Sequence, residues 1–403
     1  MRRYRIVFSV AAAIAAIAAT GWAGSAAAQS EPAQGVQLHA GGRVVYDTNF
    51  FRIDNSLAGT PAIDARGLAD TTLTGYVGID ALWRVGGGQE IVITGELNEN
   101  VQDVYSEADY TGGNLLATFN WQLGAATYGN VAFDNIVDRV DFENQDVPII
   151  KFRTRNRLSG EINRRLTTNW AVGAGAGFIR TDFDAGIVNE VERQDAFVRV
   201  AYTSRRGNEF RLLGTFEDRM ASGLNNLGFT GFAVGPELDW KLSPSFLVTG
   251  EIKYQERNPE DPALVAFDGP TGHIGLRFEP SNKVALHARA VREISTLGDQ
   301  LSNYAVIDRQ SITMEWNVST QLGYYVRAEH ERRDFELEPS LLPVPDLVPR
   351  EDELVSARIG LRWDPRRRLN FEAYAQVGDR SSNRQFRDFR YEMYLLEFQY
   401  NFL

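Results

Sequence analysis

Four basic side chains at alternate positions form the clearest chemical pattern in the sequence. The segment KFRTRNR carries Lys151, Arg153, Arg155 and Arg157, each two residues from the next. Alternate residues of an extended strand share one face and lie about 7 Å apart, so these four cations, here called the basic ladder, form one column. A column of like charges needs acidic neighbours or an anionic ligand to offset its repulsion. The ladder therefore predicts an anion-handling surface on a β-strand.

The strands that would carry such a surface are recognisable by their period of two. In the segments 73–83, 246–255, 354–363 and 369–379, apolar or small residues alternate with polar ones. Each segment is about 10 residues long, which lets a tilted strand cross a bilayer. Transmembrane barrels have this alternation, with apolar residues toward lipid and polar residues toward the lumen. The ladder would then face the lumen, because a cation at the midplane of the lipid face costs about 2–4 kcal/mol.

The connections between these segments alternate in length. Short turns at 85–89, 204–208 and 280–283 are separated by longer polar segments such as 54–70 and 335–352. Bacterial outer-membrane barrels have short periplasmic turns, long external loops and an even number of strands. The sequence therefore predicts an all-β fold, a transmembrane antiparallel up-and-down β-barrel of eighteen strands with both termini periplasmic.

One predicted strand, 127–142, is ambiguous. Phe133, Ile136, Val137 and Val140 also fit the i, i+3, i+4, i+7 spacing of a helix. If this segment were a loop helix, sixteen strands would be the better count.

The N-terminal segment predicts export. A basic stretch, an apolar run and the small residues up to Ala28 have the layout of a secretory signal peptide. The alternative of a membrane anchor requires an apolar run of about 20 residues, and this run is shorter. We expect a signal peptide at 1–28, a single barrel domain at 29–403, and the outer membrane of a Gram-negative bacterium as the location.

Composition excludes several classes of function. The chain has 42 Lys and Arg against 53 Asp and Glu, which argues against nucleic acid as a partner. It has no cysteine, so thiolate metal sites and cysteine nucleophiles are excluded. No HExxH, GxSxG or P-loop motif occurs, and we predict no catalytic residue, metal or cofactor. His287 with Arg289 and Glu293 is the one cluster that an enzymatic alternative could use.

Acidic and aromatic residues complete the predicted lumen. The counter-charges expected to face inward with the ladder are Glu96, Glu251, Glu329 and Glu372. Two interpretations of the ladder stay open: a constriction that orients anionic solutes, or a salt-bridged filling that stiffens the barrel. Tyr325 and Tyr374 are candidate sugar-stacking platforms. Interfacial girdles are the expected place for Trp83, Trp121, Trp170, Trp240, Trp316 and Trp363.

Two segments resemble outer-membrane proteins. In YLLEFQYNFL, apolar residues alternate up to Phe402, which resembles the C-terminal strand read by the barrel-assembly machinery, although the last residue is Leu403. The segment VVYDTNFFR, residues 44–52, resembles the opening strand of proteobacterial β-barrel porins often encoded with exopolysaccharide genes. The resemblance implies a channel for polysaccharide export or solute passage, with lipopolysaccharide and polysaccharide-export proteins as partners. A closed scaffold barrel and a barrel enzyme acting on lipid or glycan remain alternatives.

Overall fold

The chain folds as one closed antiparallel β-barrel of eighteen strands. The computed structural model describes residues 35–57, 66–145, 149–185, 188–223, 228–262, 264–295, 302–337 and 348–402. The predicted signal peptide and Leu403 therefore lie outside the described residues. The strands are β1 Gly35–Asp47, β2 Asp70–Gly86, β3 Gln89–Gln102, β4 Tyr110–Leu123, β5 Thr127–Arg139, β6 Phe152–Arg165, β7 Trp170–Phe183, β8 Val188–Thr203, β9 Glu209–Gly223, β10 Phe229–Ser243, β11 Phe246–Pro259, β12 Phe267–Ser281, β13 Val284–Ser295, β14 Ser302–Asn317, β15 Leu322–Leu337, β16 Glu351–Arg366, β17 Leu369–Ser382 and β18 Phe389–Asn401.

The predicted count of eighteen is confirmed, and the ambiguous segment is a strand. Residues of β5 pair with both β4 and β6, so its mixed periodicity did not produce a helix. The last strand closes the barrel by pairing β18 with β1, from His39 opposite Asn401 to Asp47 opposite Met393. Closure leaves no edge strand, which is why a sheet can span a membrane.

Residue type decides which face of each strand points outward. On β1, Val44 and Tyr46 are 40% and 43% exposed on the outer surface, whereas Arg43 points inward and pairs with Glu397. The outer surface is apolar and the inner surface polar, as lipid outside and a polar lumen require. No helix in the described part of the chain has the length and apolar character that a membrane-crossing helix needs.

Tryptophans lie at one rim of the barrel. The six predicted girdle residues all lie at the strand ends joined by short turns, the end that is periplasmic in barrels of this type. Several of these tryptophans contact a second aromatic ring, for example Trp170 with Tyr202 at 5.0 Å and Trp363 with Phe371 at 5.4 Å. Amphipathic rings favour the headgroup level of a membrane, so this belt marks the periplasmic interface.

A local interruption lies in β10. Gly235 and Pro236 pair with β9 but have no partner among the described residues of β11. The neighbouring residues Val234 and Glu237 are both paired with β11. Proline has no amide hydrogen to donate to a ladder. A Cβ at Gly235 would overlap the carbonyl oxygen of Ile252 on β11, so only glycine allows the two strands to approach this closely.

Candidate lumenal site

The basic ladder lies on the lumenal face of β6. Arg153 pairs with Asp138 at 2.6 Å, and Arg155 pairs with Asp134 at 3.3 Å, both across the β5–β6 ladder. Arg157 is exposed to the lumen and has no hydrogen-bond or ion-pair partner among the residues that the structure describes. Arg157 lies directly opposite Asp134, whose carboxylate pairs with Arg155, so two aspartates of β5 offset the charge of three arginines of β6.

Lys151 lies just before β6 begins. Its Nζ is 3.9 Å from the centroid of the Phe183 ring, a cation–π contact. Burial lowers the pKa of Lys151 from its ordinary value. Lys151 thus belongs to the mouth of the lumen, above the strand that carries the three arginines.

The four glutamates predicted as lumenal counter-charges have partners other than the ladder in the described part of the chain. Glu251 pairs with Lys253 and lies 3.5 Å from His273, and Glu329 pairs with Arg327. The Glu372 carboxylate accepts a hydrogen bond from the Tyr325 hydroxyl, and Glu96 accepts one from Asn98. The ladder instead pairs with aspartates of β5, because cross-strand neighbours are closer than any residue on another part of the wall.

Three successive inward positions of β7, the strand next to the ladder, carry no side chain. The inner face of β7 presents Gly173, Gly175 and Gly177. Because these positions are bare, Arg199 of β8 reaches across β7 and bonds Asn163 of β6 at 2.8 Å. A Cβ at Gly173 would overlap that Asn163 oxygen. The glycines therefore let charged side chains from two non-adjacent strands meet on the lumenal surface.

A cavity of about 870 Å³ opens onto this part of the wall. It is lined by side chains of β6–β9 and β11–β13, and its charged residues are nine arginines or lysines against three glutamates. The glutamates are Glu217, Glu251 and Glu293, and the cations are Arg153, Arg155, Arg157, Arg193, Arg219, Lys253, Arg257, Arg289 and Arg292. We call this surface, from β6 to β13, the cationic wall. At least five of these cations pair with carboxylates: Arg153, Arg155, Arg193, Lys253 and Arg292.

Another part of the wall, β14 to β18 with β1 and β2, is different, and we call it the paired wall. Arg309 pairs with Glu331 at 2.5 Å, and Arg333 also pairs with Glu331. Arg350 pairs with Asp352, at 2.5 Å, and Asp352 is 1% exposed. These arginines of the wall are therefore each in an ion pair with a carboxylate.

A loop crosses the external mouth of the barrel. Residues 140–145 and 149–151, here called the crossing loop, connect β5 to β6. Arg333 donates to the Glu143 carboxylate at 2.9 Å, and Arg380 donates to the Glu143 carbonyl oxygen at 3.1 Å. These arginines lie on β15 and β17, at least five strands away in either direction around the barrel. The crossing loop therefore narrows the mouth and docks on the paired wall.

The opening motif anchors this loop. Phe50 and Phe51 pack against Phe142 of the crossing loop, with ring centroids 5.3 Å and 5.0 Å apart. Just beside them, Arg52 pairs with Asp47 at 2.7 Å and stacks on the Tyr391 ring at 3.8 Å. The motif thus forms the aromatic support under the loops, and sequence reasoning had no signal for this long-range contact.

The two candidate tyrosines face the lumen but are covered. Arg362 lies over the Tyr325 ring at 4.9 Å, and Arg358 lies over the Tyr374 ring at 4.3 Å. A guanidinium on the ring occupies the face that a sugar would use. The expectation of open stacking platforms is therefore not supported at these two positions.

The cluster considered for enzymatic chemistry is not assembled. His287 and Glu293 both point inward from β13, but they are six residues apart, about 20 Å along a strand. Glu293 instead lies 3.5 Å from Arg309. The described residues contain no group of three or more metal-ligating side chains.

An eighteen-stranded closed sheet with an apolar outside, an aromatic rim and a polar lumen defines an outer-membrane β-barrel. The family model described as "Putative beta-barrel porin 2" matches residues 230–402, which span β10 to β18. This match confirms the resemblance to β-barrel porins in a different part of the chain from the opening motif. The matching family is one of porins, which are channel proteins and not enzymes.

Solved structures share the fold. OccAB3 of Acinetobacter baumannii aligns with a TM-score of 0.51 at 9% identity, over 91% of this chain and 99% of that one. The outer membrane protein opdK of Pseudomonas aeruginosa aligns with a TM-score of 0.50 at 8% identity, with the same coverage of 91% and 99%. At such identity the likeness concerns the fold alone. No curated protein matches the chain.

Proposed function

We propose that this barrel is a porin-like channel that passes anionic solutes, with acidic polysaccharide as the largest class of cargo. The observation that carries the proposal is the cationic wall, where nine basic side chains and three glutamates line one lumenal cavity. Rings and columns of basic side chains select anions in pores. Field lines from such a wall raise the local anion concentration, and salt screens this effect.

The barrel size is consistent with passage. Barrels of sixteen to eighteen strands enclose an aqueous channel unless loops plug them. Here the crossing loop docks on the paired wall through Arg333 and Arg380, so the cationic wall borders the space beside it. Resemblance to porins associated with exopolysaccharide genes supports polysaccharide as cargo, and uronic acids would supply the negative charge.

The test is single-channel conductance of the refolded chain in a planar bilayer with a KCl gradient. We expect steady conductance with chloride preferred over potassium, and block by trigalacturonate but not by neutral maltotriose. The double substitution of Arg153 and Arg155 by glutamine should weaken the block. Conductance that prefers potassium, or block by maltotriose equal to that by trigalacturonate, would contradict an anion channel.

A second candidate is a closed scaffold barrel in an envelope assembly. The crossing loop favours it, because that loop occupies part of the mouth. A folded barrel that carries no current would support this candidate. In either case we propose that segment 1–28 directs export, that the C-terminal strand is read by the barrel-assembly machinery, and that lipopolysaccharide and polysaccharide-export proteins are neighbours.

A further inference from the structure

Three arginines converge on the cationic wall near its external end. Arg193 of β8 lies directly opposite Arg219 of β9. Arg257 of β11 and Glu217 of β9 are both opposite Gly231 of β10, one on each side. All three arginines line the 870 Å³ cavity. The strand register therefore brings three guanidinium groups from three strands to one place on the lumenal surface.

Arg257 is the central member of this group. It is 6% exposed, and its guanidinium carbon lies 4.0 Å above the centroid of the Phe229 ring. Its Nε and Nη1 atoms are buried and have no hydrogen-bond partner within the described ranges. An unsatisfied buried donor destabilises the fold. Stacking on Phe229 holds the guanidinium in place but satisfies neither donor, because a ring face is not a strong acceptor.

The ion pairs of the nearby carboxylates Glu217 and Asp195 leave the Nε and Nη1 donors of Arg257 unsatisfied. Glu217 lies 3.6 Å from Arg193 Nη1, and Asp195 lies 3.7 Å from Arg193 Nη2. Both of these ion pairs involve Arg193 and neither reaches the unsatisfied donors of Arg257. Like charges directly opposite each other destabilise a sheet, as at Arg193 and Arg219. An arrangement that costs stability and leaves oriented donors is typical of a binding site.

The cavity lies beside this guanidinium, because Arg257 is among its lining residues. Gly231, between Glu217 and Arg257, adds no side chain to this part of the wall. A guanidinium offers donors in a planar fork that matches the two oxygens of a carboxylate, sulfate or phosphate.

We infer that Arg257, with Arg219 and Arg193, forms a subsite for the oxyanion group of a solute in the lumen. This inference rests on the proposed function in one respect, since the solute reaches the subsite through the lumen. The ligand group is a carboxylate on a sugar or an inorganic oxyanion, both of which present two oxygens to the fork.

The test is titration calorimetry on the refolded full chain in detergent, with trigalacturonate, inorganic phosphate and maltotriose as separate probes. We expect Arg257→Met to weaken binding of the anionic probe about tenfold, the value of one charge-assisted hydrogen bond. The matched control is Arg332→Met, because Arg332 lies outside the cavity and pairs with Asp334. Its loss should change affinity less than threefold. Equal loss in both variants would overturn the subsite, because it would indicate only general attraction.

Arg257→Lys tests the same site without removing the charge. Lysine keeps the positive charge and the contact with Phe229 but lacks the planar fork, so we expect a similar tenfold loss. Full affinity in this variant would overturn bidentate recognition. The Arg257→Lys variant also replaces Arg257→Met as the test if Arg257→Met fails to fold. Loss of heat-modifiable migration would indicate that failure.

The outcomes separate this subsite from the proposed channel. A barrel that binds trigalacturonate through Arg257 but carries no current keeps the subsite and rejects the channel. A barrel that conducts anions but whose affinity does not depend on Arg257 keeps the channel and rejects the subsite. Binding of phosphate without trigalacturonate assigns the subsite to a free inorganic anion, and the reverse assigns it to a sugar carboxylate.

Discussion

The two walls of the lumen both contain many arginines, but the arginines have different partners on each wall. On the paired wall, arginines such as Arg333 and Arg350 are buried against carboxylates of the same or a neighbouring strand. On the cationic wall, Arg157 and Arg257 line the cavity and form no ion pair within the described residues. Local pairing produces rigidity and little net field, whereas an excess of one charge produces attraction at a cost in stability. The comparison shows that the number of arginines matters less than whether each arginine is paired with a carboxylate.

The largest effect is expected from breaking the paired wall at Arg333. This residue is 4% exposed and pairs with Glu331 and Glu143. Arg333→Met should lower the free energy of unfolding by about 3 kcal/mol, because it leaves buried carboxylates without a partner. Urea unfolding in lipid vesicles, followed by tryptophan fluorescence, measures the change. Arg157→Met on the cationic wall should change stability by less than about 0.5 kcal/mol, and equal losses would remove the distinction between the walls.

The next effect concerns selectivity on the cationic wall. Replacing Arg153, Arg155 and Arg157 by glutamine should lower the chloride-over-potassium permeability ratio about tenfold, since each lumenal charge contributes roughly 1 kcal/mol or less in water. Reversal potentials in a KCl gradient give this ratio. The matched control replaces three outward-facing arginines, Arg180, Arg332 and Arg390, which changes net charge equally. A similar shift in the control would show that overall charge, and not the lumenal column, sets selectivity.

A smaller effect is expected at Tyr325 on the paired wall. Its hydroxyl donates to Glu372 at 2.7 Å, and the side chain is 7% exposed. Tyr325→Phe should cost about 1 kcal/mol of stability and leave the permeability ratio unchanged. Tyr324, the next residue, faces outward, so Tyr324→Phe is the control and should leave both unchanged. A change in selectivity at Tyr325 would mean that the paired wall also contributes to solute passage.

The smallest expected effect is a pH dependence of the crossing loop. Burial raises the pKa of Glu143 above its ordinary value of 4.5, against the opposing influence of Arg333 and Arg52 and with added repulsion from Asp141 and Glu331. The docked loop therefore binds a proton more tightly than a released loop. Docking is most stable below about pH 4.5, and that stability is lost as pH rises through the raised pKa.

Conductance should accordingly fall modestly as pH is lowered from 7 toward 4.5. Glu143→Gln should remove this step and hold conductance at the lower level at pH 7. Glu107→Gln, at an exposed position that pairs with Arg66, is the control and should retain the step. A pH dependence that persists in Glu143→Gln would assign it to another group.

Most of the fold could be predicted from the sequence, because alternate residues of a barrel strand face lipid and lumen and are therefore alternately apolar and polar. Val44 and Tyr46 outward with Arg43 inward follow from this rule alone, as does the inward direction of Arg153 and Arg155. The partners of the ladder could not be predicted, because the face of β5 was obscured by the mixed spacing of Phe133 and Ile136. The docking of the crossing loop could not be predicted either. Glu143 and Arg380 are 237 positions apart, and no local sequence pattern indicates their contact.

The interruption at Gly235 and Pro236 affects how easily the wall opens locally. In a closed barrel every amide is bonded to a neighbouring strand, so hydrogen exchange with solvent generally requires a cooperative opening. Between β10 and β11, however, two consecutive positions share no ladder bond. The strands can separate there at lower cost than where the ladder is continuous. Amides of Ile252 and Lys253 should thus exchange through a local fluctuation, in the same wall as Arg257.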